Sequence, residues 1–70
     1  MKHIVYHGYV ITVTANNDKS FWRARAIIIW DKGKFELHGE VGFPTEMEAE
    51  ENGLELGKHW VNNHLQSMQG

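Results

Sequence analysis

The 70-residue chain has no cysteine and only one proline. Without cysteine it has neither a disulfide framework nor a thiolate nucleophile. Its longest purely apolar run, Ala26 to Trp30, is far too short to cross a bilayer. Residues 1–15 lack the basic start and the cleavage site of a secretory signal. These absences predict a cytoplasmic protein that does not associate with a membrane.

A strong charge of either sign is also missing, since the net charge is -2 and the isoelectric point is near 6.2. Nucleic-acid binding would therefore need a local basic patch, because the chain as a whole does not attract polyanions. Apolar residues make up 41% of the chain and charged residues 23%, which is ordinary for a folded protein. The length allows one domain, and we assign residues 1–70 to it.

Alternating apolar and polar residues predict three β-strands, at about residues 3–15, 20–30 and 34–41. Four-residue connections after Ala15 and Trp30 would place Val13 opposite Trp22 and Ile28 opposite Leu37. The sheet is then an antiparallel meander with the second strand in the centre. The predicted core face of that strand carries Trp22, Ala24, Ala26, Ile28 and Trp30, and Phe35, Leu37 and Val41 point inward from the third strand.

The last third of the chain predicts a helix at about residues 46–65. Thr45 is an N-cap residue and Glu48 follows three positions later, the spacing of a capping box. Gly53 and Gly57 fall on the apolar side and would let the helix approach the sheet, admitting a bulky side chain such as Trp22 or Trp30. Residues 66–70 are expected to fray. The predicted fold is α+β, with a three-stranded antiparallel meander and one C-terminal helix packed on one face.

The opposite, outer face of this sheet is the most informative feature for function. Apolar groups on both faces of the second strand mean that something must cover its second face. One alternative is a protein partner or a second copy related by a two-fold axis; the other is residues 1–7, with Ile4, Val5 and Tyr6, folding back. Both alternatives remain open from the sequence. The candidate partner-binding residues are Phe21, Arg23, Arg25, Ile27, Ile29 and His38.

Catalytic, cofactor and metal sites are not expected. The chain has five histidines, but His59 and His64 are five apart and lie on nearly opposite sides of a helix. No nucleophile is paired with a base, and no glycine-rich phosphate loop is present. A small sheet with one helix also leaves little depth for a pocket of about 300 Å³ or more. We therefore predict a non-enzymatic protein.

Two segments resemble motifs of known DNA-binding domains: residues 22–27, WRARAI, and residues 42–49, GFPTEMEA. They are similar to the strand and helix-start motifs of the plant AP2/ERF domain and of the arm-binding domains of phage integrases. Across residues 20–56, this resemblance implies a three-stranded sheet whose outer face enters the major groove. Arg23 and Arg25 would read bases, and Lys19, Lys32 and Lys34 would contact phosphates. Ile27, Ile29, Glu36, His38 and Glu40 on the same face depart from that pattern.

The chain also resembles short, stand-alone, uncharacterised bacterial proteins. The shared motifs are a strand with Trp-x-Ala-x-Ala, here Trp22 to Ala26, and a helix opening Phe-x-Thr-x-x-Glu-Ala, here Phe43 to Ala49. The second motif departs by one position. This resemblance implies a fold but no activity. The sequence thus favours a small protein-interaction or regulatory module that uses the outer sheet face, with nucleic-acid binding through Arg23 and Arg25 as the alternative.

Overall fold

The computed structural model describes residues 1–69, which form a four-stranded antiparallel sheet with one helix across one face. The strands follow the chain in the order β1-β2-β3-β4. The α+β class and the single C-terminal helix are confirmed. Their bounds are β1 at Lys2–Tyr6, β2 at Tyr9–Asp18, β3 at Phe21–Trp30, β4 at Gly33–His38 and α1 at Glu46–Gln69.

The prediction of three strands is wrong because the first predicted strand is a hairpin of two strands. Its turn consists of His7 and Gly8, whose φ angles are 52° and 82°. Positive φ at both central residues is the requirement of the two-residue type I′ turn, which matches the twist of the flanking strands. Residues 2–6 therefore extend the sheet as an edge strand beside β2.

The predicted register is also wrong, because the other two hairpins have two-residue connections instead of four-residue ones. Asp18 pairs with Phe21 and Trp30 pairs with Gly33. Val13 consequently lies opposite Ala26, four positions from the predicted Trp22, and Ile28 lies opposite Phe35 rather than Leu37. Both shifts are even. Every side chain therefore stays on its predicted face of the sheet.

The core lies between α1 and the inner face of the two central strands. Ile11, Val13, Ile28 and Val61 are completely buried there. The predicted core face of β3 is confirmed, although Trp22 is only half buried and lies outside the central cluster. The inward placement of Val41 is wrong. Its side chain is exposed because β4 ends at His38 and the chain returns to pair Phe43 with Trp22.

The helix begins where the capping box predicts. The Thr45 hydroxyl accepts a hydrogen bond from the Glu48 backbone N–H at 3.2 Å and donates one to the Glu48 carboxylate at 2.9 Å. The predicted helix end near residue 65 is wrong, because α1 continues to Gln69; position 70 lies outside the described residues. No helix within residues 1–69 is long and apolar enough to span a membrane.

Gly53 and Gly57 bring α1 into close contact with the sheet, as predicted. A Cβ atom at Gly53 would lie 2.5 Å from Val13 Cγ1, and one at Gly57 would lie 2.8 Å from Ile11 Cγ2. The predicted tryptophan neighbours are wrong, since β2 aliphatic side chains occupy this space.

Trp30 packs instead in an aromatic cluster that closes one end of the core. Trp60 stacks on Phe35 with ring centres 4.9 Å apart and on His64 with ring centres 4.7 Å apart. Trp30 lies 5.4 Å from Trp60 and 5.3 Å from His64, and Tyr9 lies 5.3 Å from Trp30. The cluster joins β2, β3 and β4 to the second half of α1.

Candidate interaction face

The outer face of the sheet, which points away from α1, carries the side chains that alternate with the core positions. Residues 1–7 do not fold over it. Because β1 pairs in plane with β2, Ile4 and Tyr6 pack against the core, whereas Val5 points outward and is 71% exposed. The alternative in which this segment covers the face is therefore wrong.

Apart from the Asp18–Phe21 pair beside the β2–β3 turn, the pairing register arranges the outer face in four rows that cross the strands. The first row is Val5, Val10, Ile29 and Lys34, and the second is His3, Thr12, Ile27 and Glu36. The third row contains Thr14, Arg25 and His38, and the fourth contains Asn16 and Arg23.

The first two rows contain the aliphatic patch, which we define as Val5, Val10, Ile27 and Ile29. Ile29 is 45% exposed, whereas its neighbour Ile28 is completely buried. His3 and Thr12 hydrogen-bond across the strands at 3.0 Å beside the patch. The patch therefore consists of two exposed side chains, Val5 and Ile29, and two half-buried ones, Val10 and Ile27, on the side of the sheet opposite the core.

Phe21 does not join the aliphatic patch. It pairs with Asp18 at the far end of β3, six positions before Ile27, and therefore about 20 Å away along an extended strand. Arg23 and Arg25 lie between them on the same face. The Phe21 side chain instead lies against Gly42, where an added Cβ atom would be only 2.8 Å from the Cβ of Phe21. The six predicted partner-binding residues thus lie on one face in successive rows, and the rows of Arg23 and Arg25 separate Phe21 from the isoleucines.

Glu36 is the centre of a charged cluster beside the patch. Arg25 Nη2 donates a hydrogen bond to its carboxylate at 2.9 Å, and Lys34 Nζ and His38 Nε2 lie 4.0 Å and 3.9 Å from it. The hydrogen bond and the charge of Arg25 lower the pKa of Glu36, and Lys34 and His38 act in the same direction. The Glu36 carboxylate thus neutralises Arg25 and lies near Lys34, while Arg23 lies outside this cluster.

The ion pair of Glu36 predicts a pH-dependent contribution to stability. Because the pKa of Glu36 is lower in the folded state, its contribution is present above the unfolded-state pKa and is lost as pH falls through the folded-state pKa. We expect Glu36→Gln to be less stable than the native protein at pH 7 in urea unfolding, and the difference to shrink as the pH is lowered into the acid range. Glu51→Gln, an exposed helix carboxylate, is the matched control. An equal stability loss by Glu36→Gln at pH 7 and in the acid range would contradict this prediction.

An open depression of about 440 Å³ lies on the helix side of the domain. Because the depression is open to solvent, its volume does not amount to the enclosed depth of a ligand pocket. The depression is lined by Phe43, Glu48, Glu51, Asn52, Leu54, Glu55 and Lys58. Its three glutamates are exposed and the other lining residues are half buried, and no group of three or more metal-binding side chains occurs among residues 1–69. The outer face remains the stronger candidate site.

The fold defines a small α+β domain in which a four-stranded meander carries a C-terminal helix on one side and an open face on the other. The chain belongs to the family described as a domain of unknown function (DUF6566), whose profile matches residues 1–69. The match agrees with the predicted resemblance to uncharacterised proteins, but the similarity to AP2/ERF and integrase arm-binding domains is not confirmed. Comparisons with curated proteins and with solved structures gave no match.

Proposed function

We propose that this domain is a small non-enzymatic protein-interaction module that binds its partner through the outer sheet face. The observation that carries the proposal is the exposure of Val5 and Ile29 in a patch that nothing else in residues 1–69 covers. Contiguous apolar groups bordered by polar and charged residues are typical of association surfaces. Lys34 and Glu36 border this patch on β4, and His3 borders it on β1.

The patch is also preorganised for binding. All four of its side chains are valine or isoleucine, whose branching at Cβ restricts χ1. Hydrogen-bonded neighbours hold the central strands on both sides, and the buried Ile28 anchors β3 between Ile27 and Ile29. A partner would therefore order few side chains on binding, which reduces the entropic cost of association.

Nucleic-acid binding through Arg23 and Arg25 is supported less well. Arg25 is paired with Glu36, and that carboxylate lies in the middle of the positive side chains that would face phosphates. Only Arg23 presents a guanidinium outside this cluster. On a nucleic acid, the aliphatic patch would lie against a charged backbone that offers no apolar surface of matching shape. Protein recognition uses both the aliphatic and the charged residues of the face.

Site-specific photo-crosslinking in the native host tests the proposal. A photoreactive amino acid replaces Asn16, an exposed residue of the fourth row, and in a matched control it replaces Glu55 on α1. We expect the Asn16 probe to form a discrete protein adduct that the Glu55 probe does not form. The same adducts from both positions, or nucleic acid as the only product at Asn16, would overturn the proposal.

A further inference from the structure

We infer that the partner on the outer face is a second copy of this chain, related by a two-fold axis that runs along the strands between β2 and β3. This inference rests on the proposed function and specifies its partner. Two copies of one face can meet only if the axis lies in the plane between the two sheets. An axis along the strands places β2 over β3 of the second copy and β1 over its β4.

This arrangement matches apolar residues with apolar residues. In the first row, Val10 faces Ile29 of the second copy, and the symmetry repeats the contact. In the second row, Thr12 faces Ile27, so that the threonine methyl meets an aliphatic side chain. The aliphatic patch is thus nearly self-complementary, because it is centred on the boundary between β2 and β3.

The same axis matches the polar residues without placing like charges opposite each other. Glu36 faces His3 of the second copy, Arg25 faces Thr14, and Arg23 faces Asn16, as the rows require. No like charges lie directly opposite each other, although the axis places Arg25 beside Arg25 and Arg23 beside Arg23 of the second copy, about one strand spacing apart laterally. The Glu36 carboxylate offsets the first of these repulsions through its ion pair with Arg25. Lys34 faces Val5, which its methylene stem can cover while the ammonium remains in water.

An axis perpendicular to the strands fits less well. If that axis ran between the first and second rows, the first row of one copy would face the second row of the other. Arg23 in the fourth row would then extend beyond the edge of the second copy and contact nothing. The axis along the strands uses all four rows, over a face of about 19 by 25 Å. The resulting contact lies near the lower limit of about 1,000 Å² in total for a specific interface. The contact therefore falls in the size class of weak or transient interfaces.

Charge complementation at Ile29 tests the arrangement, because the two copies of this residue lie close to the axis and about one strand spacing apart laterally. By sedimentation equilibrium, Ile29→Asp and Ile29→Lys should each be monomeric at concentrations where the native chain is dimeric. An equimolar mixture of the two variants should regain dimer mass through an Asp–Lys pair between copies. Met47→Asp, at an exposed position on α1, should dimerise like the native chain.

Each result of this experiment has one interpretation once circular dichroism shows that both variants are folded. A native chain that stays monomeric at millimolar concentration overturns self-association, while an adduct of the Asn16 probe with another protein would still support the proposed function. A dimer that survives Ile29→Asp overturns the use of this face. Failure of the mixed variants to associate, with a native dimer present, overturns the axis.

Discussion

Ile28→Ala is expected to lower the free energy of unfolding by about 3–4 kcal/mol, whereas Ile29→Ala should lower it by less than about 1 kcal/mol. The two isoleucines are adjacent in β3, but Ile28 is completely buried and Ile29 is 45% exposed. Truncating Ile28 removes apolar contacts and leaves a cavity beneath α1. For a domain of this size, whose total stability is about 4–10 kcal/mol, the loss is a large fraction.

Urea unfolding of the two variants beside the native chain measures this difference directly. The pair is well matched, because both variants make the same chemical change in the same strand and differ only in the face they occupy. Equal stability losses would mean that the two faces of β3 are equally buried. That result would contradict the open outer face on which the proposed function depends.

Gly53→Ala is expected to destabilise the domain by about 2 kcal/mol, even though alanine has a higher helix propensity than glycine by about 1 kcal/mol. The new Cβ would lie 2.5 Å from Val13 Cγ1 and 3.0 Å from the Cβ of Ala24. Both neighbours belong to central strands of the sheet, so neither can move aside easily. The helix would have to separate from the sheet along much of its length.

A double-mutant cycle with Val13→Ala tests this explanation. Val13→Ala alone removes buried methyl groups and should be destabilising by about 2 kcal/mol, but it also removes the atom closest to the new Cβ. The double variant should therefore be more stable than the sum of the two single losses predicts, by about 1 kcal/mol. Strict additivity, or a stabilising effect of Gly53→Ala, would show that close packing at this glycine does not limit stability.

The faces of the strands could be predicted from the sequence, but their register could not. Alternation with a period of two assigns Ile28 inward and Ile29 outward whatever the loop length. Register depends on turn geometry. Replacing the assumed four-residue loops by two-residue turns shifts the pairing of the strands by an even number of positions. Lys19 shows why this was difficult: it has a φ of 62°, although nothing about a lysine indicates a left-handed turn residue.

The candidate face was predicted in part for the same reason. Arg25, Ile27, Ile29 and His38 are close together because same-face residues of neighbouring strands meet in any register that preserves the faces. Val5 was missed as a member of the patch. The signal for it was the pair His7-Gly8, since a two-residue turn with a glycine at its second position predicts a hairpin and places the preceding residues beside β2.

The stacking of Trp60 between Phe35 of the sheet and His64 of the helix gives the protein an intrinsic optical reporter. Trp30 and Trp60 lie close enough, with ring centres 5.4 Å apart, for their electronic transitions to couple, and Trp22 belongs to the opposite end of β3. Near-ultraviolet dichroism should thus be dominated by the end where α1 docks. Detachment of the second half of the helix can then be followed in the unlabelled chain.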